Sequence, residues 1–185
     1  MVWSPNRQMK ALAVVLTLVF GVAISSGALG AVEKFQPHLA ADLLTGQKTN
    51  LQIDSKKKGK VLVFMSATCP CSNSHVSVLK TLANDFKDFD FVAVHSNQNE
   101  GEKESKEYFQ KADLGFTVLQ DTKAQIADIY GAVKTPHVYA FDTNGNLKYQ
   151  GGVTDSAYGP AAKNQFLRYA LLAMREGKVA LFPVT

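Results

Sequence analysis

The distribution of apolar residues predicts two buried strands in the middle of the chain, separated by an amphipathic helix. Val61–Met65 and Phe89–Val94 are nearly continuous apolar runs, as in strands that are covered on both faces. Between them Pro70 stands where a helix would begin, since proline is tolerated in the first helical turn. Apolar side chains then recur at helical spacing and form one stripe, at Val76, Leu79, Ala83 and Phe86.

The rest of the chain continues this alternation. The pattern predicts a charged helix, a short strand, a short helix ended by Gly131, a hairpin with an Asn-Gly turn, and a final helix. Their predicted bounds are Glu102–Ala112, Phe116–Leu119, Ala124–Tyr130, Val138–Phe141 with Leu147–Gln150, and Ala161–Glu176. The segment Phe35–Leu51 is polar and irregular, and no element is predicted there. The fold class is therefore α/β, with a central mixed sheet flanked by helices on both faces.

The N-terminus has the pattern of a secretory signal peptide. Arg7 and Lys10 precede an uncharged run, Ala11–Ile24, and the small residues Ala28 and Gly30 mark a cleavage site after residue 30. The run is shorter than the roughly 20 residues that a membrane-spanning helix needs. We therefore expect an exported protein, in a bacterial periplasm, and the alternative is an uncleaved N-terminal membrane anchor.

Cleavage there would leave one exported domain, residues 31–185, preceded by a signal over residues 1–30. The chain is 46% hydrophobic and 19% charged, which excludes a disordered protein. Without the two basic residues of the signal, the net charge falls from +4 to +2, which is too small and too scattered to indicate nucleic-acid binding. The lysine run at residues 56–60 predicts a solvated loop. We expect no stable membrane association after signal cleavage.

The candidate chemistry is concentrated in the two cysteines of the chain. Cys69 and Cys71 follow a predicted buried strand and lie at the start of the predicted helix. The free N–H groups and positive dipole end of a helix N-terminus lower the pKa of a thiol and favour the reactive thiolate. A redox site is therefore predicted, with two inert buried cysteines as the alternative. A zinc site would need two further ligands, and a second cysteine pair is absent.

Several motifs together resemble the thioredoxin-like redoxin family. They are the run Val61–Cys71, Lys134–Thr135–Pro136 ahead of a later strand, and Tyr149–Gly152 at the end of the hairpin. Thr68–Asn73 and His95–Asn97 are most similar to the alkyl hydroperoxide reductase and thiol-specific antioxidant branch and its exported thiol–disulfide oxidoreductase relatives. The resemblance covers residues 35–176.

The resemblance implies a thioredoxin fold and a set of site residues. Cys69 matches the reactive cysteine of the family, and Pro136 matches a proline that follows a cis peptide bond beside it. Thr68, Pro70, Thr135 and His137 match positions that surround the cysteines, and we expect them to support the active site.

Three departures from the family patterns bear on the activity. Thr68 replaces the usual tryptophan, and the cysteine spacing is Cys-x-Cys rather than Cys-x-x-Cys. Ser66 matches the Thr/Ser of the peroxiredoxin motif, but Leu62 stands where that motif has proline. Peroxiredoxins also place an arginine against the thiolate, whereas the two arginines outside the signal lie on the predicted final helix. Thiol peroxidase activity is therefore kept only as an alternative.

The Cys-x-Cys spacing itself constrains a disulfide. Side chains two residues apart on a helix point away from each other, so a bridge needs Cys69 to lie just outside the helix. Strained disulfides are more readily reduced. We expect either an oxidising local disulfide or a pair in which Cys69 reacts with an outside thiol.

Three histidines are further candidates. His137 follows Pro136 and is expected close to the cysteines, so Cys69, Cys71 and His137 form an alternative Cu(I) ligand set. His75 is expected to be solvated, and His95 ends a strand at the sheet edge where sites cluster in open α/β folds. A redox-inert binding module is a third class, which the intact cysteine pair disfavours.

The sequence thus favours an exported thiol–disulfide oxidoreductase. Cys69 is predicted to attack and Cys71 to resolve the mixed disulfide, and the Thr135–Pro136 bond is predicted to be cis. Because the electrons reside on sulfur, no organic cofactor is implied. The predicted partners are protein thiols and disulfides, and no nucleic acid.

Overall fold

The computed structural model describes residues 32–178, as a seven-stranded mixed sheet with four α-helices. The strands are β1 (His38–Asp42), β2 (Lys48–Leu51), β3 (Gly59–Met65), β4 (Asp90–His95), β5 (Thr117–Gln120), β6 (His137–Asp142) and β7 (Leu147–Gly151). The helices are α1 (Pro70–Asp85), α2 (Glu102–Ala112), α3 (Gln125–Tyr130) and α4 (Phe166–Arg175), with short 3-10 turns at Thr122–Ala124 and Gly159–Ala161. The predicted fold class is confirmed.

The sheet is mixed because its centre is parallel and its flanks are antiparallel. The strand order is β2-β1-β5-β4-β3-β6-β7. Strands β3, β4 and β5 run parallel, whereas β6 and β7 on one side and β1 and β2 on the other pair antiparallel.

Every residue of β3 is buried, since helices cover both faces of the sheet. Val61, Val63 and Met65 point toward the face that packs against α1, α2 and α4. Leu62 and Phe64 point toward the opposite face, where α3 packs. Because both faces of β3 are buried, its residues are apolar at consecutive positions and not only at alternate ones.

The segment predicted to be irregular contains a hairpin, so that prediction is wrong. Strands β1 and β2 pair antiparallel, and β1 extends the sheet beside β5. The turn between them is closed by Asp42, whose carboxylate accepts the N–H groups of Leu44 and Thr45. Leu39 on β1 is exposed, and these short, half-exposed strands lack the apolar alternation that predicts a strand.

The last helix begins five residues later than predicted, at Phe166. Pro160 lies in a 3-10 turn, and the carboxylate of Asp155 accepts the N–H of Lys163 and a side-chain bond from Asn164. These local bonds compete with helix formation over residues 161–165.

The topology brings three segments to one edge of the sheet. Met65 pairs with His95 at the carboxyl ends of β3 and β4, and Phe64 pairs with His137 at the start of β6. The segments that follow β3 and β4, and the one that precedes β6, therefore meet at this edge.

The predicted signal peptide, residues 1–30, lies outside the described residues. Within residues 32–178, no helix has the length and apolarity needed to cross a membrane.

Candidate active site

Cys69 lies at the junction between the β3 loop and α1. It is the N-cap residue of the helix, in an extended conformation with φ −74° and ψ 121°, and Pro70 occupies the first helical position. Both Cys69 and Cys71 are half-buried free thiols. Cys69 therefore stands just outside the helix, which is the position that a Cys69–Cys71 bridge requires, and both thiols are partly buried.

The two thiols have opposite pKa shifts. Partial burial disfavours the Cys69 thiolate, but hydrogen bonds from the Ser72 backbone N–H and the Thr135 side chain outweigh it and lower the pKa. Burial raises the pKa of Cys71, and the negative charge of Cys69 adds to that shift. The free N–H groups of the helix N-terminus thus act on Cys69. The thiolate form is therefore favoured at Cys69 and disfavoured at Cys71.

The loop before β6 forms the opposite wall of the site. The Thr135–Pro136 peptide bond is cis, which confirms the prediction. The Cys69 thiol donates to the carbonyl oxygen of Thr135, with an Sγ–O distance of 3.6 Å. The structure thus places Thr135 and Pro136 beside Cys69, 66 residues away in the chain.

An open groove of about 360 Å³ runs along this wall and reaches Cys71. Its floor and sides include Thr135, Pro136, Val153 and Phe166. Lys134, which is exposed, also lines it. The groove is large enough to accept a few side chains of a partner and opens onto Cys71.

Glu100, which is not among the site residues predicted from the sequence, organises the loop between β3 and Cys69. Its carboxylate accepts hydrogen bonds from the Ser66 hydroxyl, the Ala67 N–H and the Thr68 hydroxyl, at 2.5, 2.8 and 2.9 Å. The amide of Asn97 donates at 2.6 Å. The side chain is only 5% exposed.

The pKa of Glu100 is lowered from its ordinary 4.5 to about 2. Burial alone would raise it, but the hydrogen bonds from Ser66, His95 and Thr68 outweigh that cost. Glu100 is therefore a charged anchor for the loop and does not serve as a general base. A signal for it was present in the sequence, since Glu100 lies shortly after the His95–Asn97 motif.

Ser66 connects this anchor to Cys69. Its hydroxyl oxygen accepts the N–H of Cys69 at 2.9 Å, while its proton is donated to Glu100. Ser66 is also fully buried. Its hydroxyl is thus already engaged on both sides, unlike a group that is free to bind a peroxide.

The arginines of the described chain lie at the other end of α1. Arg168 pairs with Asp85 at 2.7 Å, and Arg175 pairs with Asp88. Since Cys69 precedes the first turn of this 16-residue helix, both guanidinium groups are far from the thiols. As predicted, neither arginine faces Cys69.

His75 is buried, so the expectation that it is solvated is wrong. It is only 2% exposed, and its Nδ1 donates to the carbonyl oxygen of Cys71 at 2.7 Å. Its Nε2 is hydrogen-bonded to the Thr154 hydroxyl at 2.9 Å. His75 thus ties the first turn of α1 to the loop that follows β7. Helical periodicity could not reveal this, because the partner is 79 residues away.

His137 lies on the opposite face of the sheet from α1. Its ring packs on Tyr139 with a centroid distance of 4.7 Å, and Tyr139 belongs to the core layer that contains Phe64. Burial, with the charge of Lys134, lowers the pKa of His137 to about 4. The structure does not bring His137 to the cysteines, which corrects the expectation that it supports the site.

The Cu(I) ligand set of Cys69, Cys71 and His137 is consequently not assembled. Among residues 32–178, no group of three or more histidine, cysteine or acidic side chains is arranged to hold a metal ion.

His95 stands at the carboxyl edge, as predicted, but faces Glu100. Its Nε2 donates to the Glu100 carboxylate at 3.0 Å, and its Nδ1 contacts the side-chain oxygen of Gln120 at 3.1 Å. It therefore supports the anchor of the cysteine loop.

A mixed sheet with two cysteines at the N-terminus of a helix, opposite a cis-proline, defines a thioredoxin-like protein. The chain belongs to the Redoxin family, whose model matches residues 31–165. No curated protein sequence matches the chain significantly.

Similar solved structures support the fold. An uncharacterized conserved protein from Geobacillus kaustophilus is 25% identical with a TM-score of 0.74, and the match covers 86% of this chain and 89% of that chain. The thioredoxin domain of a thiol-disulfide oxidoreductase from Bacteroides vulgatus is 22% identical, with a TM-score of 0.57 and coverage of 72% and 96%. A secreted Mycobacterium tuberculosis disulfide oxidoreductase, homologous to E. coli DsbE, is 22% identical, with a TM-score of 0.53 and coverage of 60% and 79%.

Proposed function

We propose that the protein is an exported thiol–disulfide oxidoreductase in which Cys69 attacks and Cys71 resolves. The observation that carries the proposal is the position of Cys69: an N-cap thiol with a lowered pKa, half-exposed and facing Thr135. Membership of the Redoxin family supports redox chemistry in general.

The reaction begins when the Cys69 thiolate attacks one sulfur of a partner disulfide. A Cys69–partner disulfide forms, and the other partner sulfur leaves as a thiolate. Cys71 then loses its proton to that thiolate and attacks the Cys69 sulfur. The second partner thiol is released, and a Cys69–Cys71 disulfide holds the oxidised state. Two electrons have passed from the cysteine pair to the partner, and the reverse sequence oxidises a dithiol.

The geometry favours disulfide exchange over peroxide reduction. The Ser66 hydroxyl is engaged by Glu100 and by the Cys69 N–H, and neither Arg168 nor Arg175 faces the thiol. Leu62 is buried in the core, in place of the peroxidase proline. Purified protein should therefore turn over a disulfide with a dithiol reductant faster than it consumes hydrogen peroxide. Rapid peroxide consumption that depends on Cys69 would reverse this ranking.

Export is part of the same proposal. The signal pattern of residues 1–30 supports it, and a secreted disulfide oxidoreductase is among the similar structures. Thiol–disulfide chemistry of this kind operates in oxidising compartments. N-terminal sequencing of the protein from its native host should give Ala31 as the first residue, whereas an intact N-terminus would establish the anchor alternative.

A mixed-disulfide trap tests the two cysteine roles. The Cys71→Ser variant, mixed with a fluorescent peptide disulfide, should keep a covalent, reductant-sensitive label on Cys69. The Cys69→Ser variant should not accumulate label, and wild-type protein should release the peptide. Trapping by Cys69→Ser alone would reverse the roles. Full activity in both variants would show that the cysteines are not the site.

A further inference from the structure

The edge of the sheet opposite the cysteines carries an exposed basic surface. Lys56, Lys57 and Lys58 lie in the turn that leads into β3, and Lys87 lies in the turn that leads into β4. These turns are packed together: the Lys57 ammonium donates to the carbonyl oxygen of Lys87 at 2.8 Å, and the Lys58 N–H donates to Asp88.

The first described residues of the chain arrive at this same edge. Lys34 pairs with Asn146 in the β6–β7 turn, and Phe35 donates its N–H to Gly145. A Cβ added at Gly145 would lie within 4 Å of both Phe35 and Ile53, so the chain at Phe35 adjoins the turn that carries the lysine run. We name Lys34, Lys56, Lys57, Lys58 and Lys87 the basic edge.

The acids nearby do not neutralise this surface. Among the described residues, none of the five ammonium groups of the basic edge forms an ion pair. Asp85, Asp88 and Asp90 are paired with Arg168, Arg175 and Lys60. Glu33 and Asp54 remain, and two acids against five lysines leave a net charge of +3. Since residues 31–185 carry only +2 in total, the rest of the domain has no net positive charge.

We propose that the basic edge docks the domain on an anionic lipid surface. Lysines at a membrane surface that contains anionic lipids each contribute roughly fivefold to binding, and the attraction acts within a Debye length of about 10 Å. The docking is peripheral and salt-sensitive, so it differs from a stable membrane association, which is not expected after signal cleavage.

The chain outside the described residues selects lipid as the occupant. The apolar run Ala11–Ile24 directs the chain to a membrane, as a signal or as an anchor. In either case the domain emerges at a bilayer surface, where anionic headgroups are complementary to the +3 charge of the basic edge. Cys69, at the carboxyl end of β3, faces the opposite way, toward partners in solution.

Lysine acetylation footprinting of the full chain tests this proposal. The protein is labelled with an amine-reactive acetylating reagent in the presence of vesicles of phosphatidylcholine alone or mixed equally with phosphatidylglycerol. Mass spectrometry then gives the labelling rate of each lysine. The three exposed lysines of α2, Lys103, Lys106 and Lys111, are the internal control, because they lie on a helix that is not part of the basic edge.

The expected result is at least fivefold slower labelling of the basic edge on anionic vesicles, with no change on neutral vesicles or at the α2 lysines. Raising the salt concentration from about 0.1 M to about 0.5 M should remove the protection. The combined variant Lys56→Gln, Lys57→Gln, Lys58→Gln should also lose the protection of Lys87, whereas Lys103→Gln, Lys106→Gln, Lys111→Gln should not.

Equal protection of both lysine sets, or no protection on anionic vesicles, would overturn the proposal. Protection by heparin without protection by anionic vesicles would overturn the lipid assignment in favour of a soluble polyanion. Because no outcome depends on Cys69 or Cys71, failure of the redox proposal would leave this result unaffected, and the reverse also holds.

Discussion

The hydroxyl of Ser66 donates a 2.5 Å hydrogen bond to the carboxylate of Glu100, and the same oxygen accepts the N–H of Cys69. A buried charge thus fixes the backbone that presents the nucleophile, through a single side chain. Glu100 does not contact the thiols by any described hydrogen bond, so it is a positioning residue. Because the loop is already fixed in this way, less conformational entropy is lost when Cys69 reacts.

Replacing Glu100 with glutamine should destabilise the protein. The amide keeps the size but turns one acceptor into a donor, which leaves Ser66, Thr68 or Asn97 with an unpaired group at about 1–3 kcal/mol each. Urea denaturation at pH 7 should give a free energy of unfolding lower by about 2 kcal/mol or more. The exposed Glu107→Gln on α2 is the matched control and should change stability by less than about 0.5 kcal/mol. An unchanged midpoint in Glu100→Gln would contradict the anchoring role.

The free energy of unfolding at acid pH should depend on the ionisation of Glu100. The pKa of Glu100 is lowered to about 2 in the folded state. Ionised Glu100 therefore contributes its full stabilisation above the unfolded-state pKa near 4.5, and this stabilisation is lost as the pH falls toward 2. The loss amounts to about 3 kcal/mol over that interval, at 1.36 kcal/mol per pKa unit. Chemical denaturation between pH 2 and pH 5 should show a flatter profile for Glu100→Gln than for wild type. Parallel profiles would count against the lowered pKa.

His137 should govern stability at a higher pH without affecting the chemistry. Burial lowers its pKa to about 4, so the unfolded chain binds a proton first, and stability falls as pH drops from about 6.5 to about 4. The free energy of unfolding of His137→Phe should depend less on pH over this interval. The control variant His38→Gln, at a half-exposed histidine, should keep the wild-type dependence. Disulfide turnover at pH 7 should stay within about twofold of wild type, because His137 faces away from the cysteines. A tenfold loss of turnover in a fully folded variant would show that His137 does support the active site.

The opposite pKa shifts of the two thiols should be directly visible. Thiolate absorbance of Cys71→Ser should titrate Cys69 below the ordinary cysteine pKa, and Cys69→Ser should leave a thiol that titrates at higher pH. Iodoacetamide should alkylate Cys71→Ser faster than Cys69→Ser at neutral pH. Equal rates at all pH values would remove the physical basis for assigning attack to Cys69.

Thr154 should matter for the second step of the reaction. Thr154→Val removes the hydroxyl bonded to His75 and leaves a buried nitrogen unpaired, which costs about 1–3 kcal/mol. Because His75 also holds the Cys71 carbonyl, the mixed disulfide should persist longer, with little change in the first attack by Cys69. Thr154→Ser should restore the release rate. Stopped-flow release of a fluorescent peptide separates the steps, and slowed attack with normal release would contradict this assignment.

The sequence predicted best those features that depend on local chemistry. The buried strand β3, the helix start at Pro70 and the cis bond at Pro136 follow from an apolar run, a first-turn proline and a family motif. The β1–β2 hairpin was missed because its strands are short and partly exposed, so sheet pairing rather than an apolar pattern defines them.

The candidate site could be predicted only in part because its supporting contacts are long-range. Glu100 reaches Ser66 across 34 residues, and His75 reaches Thr154 across 79. No spacing rule connects such pairs before the sheet order is known. The error at His137 has a different cause: the residue next to Pro136 was placed correctly at the edge, but strand alternation sends its side chain to the far face.

The two ends of α1 are held in different ways, and this affects how the redox state can be recognised. At the far end, Arg175 pairs with Asp88 and lies 4.4 Å from the centre of the Phe86 ring, which fixes the helix against α4. A Cys69–Cys71 disulfide would therefore adjust the first turn alone, and His75 would pass the movement of the Cys71 carbonyl to Thr154 and its surface loop. A partner that binds over this loop could distinguish the oxidised from the reduced protein without touching either sulfur.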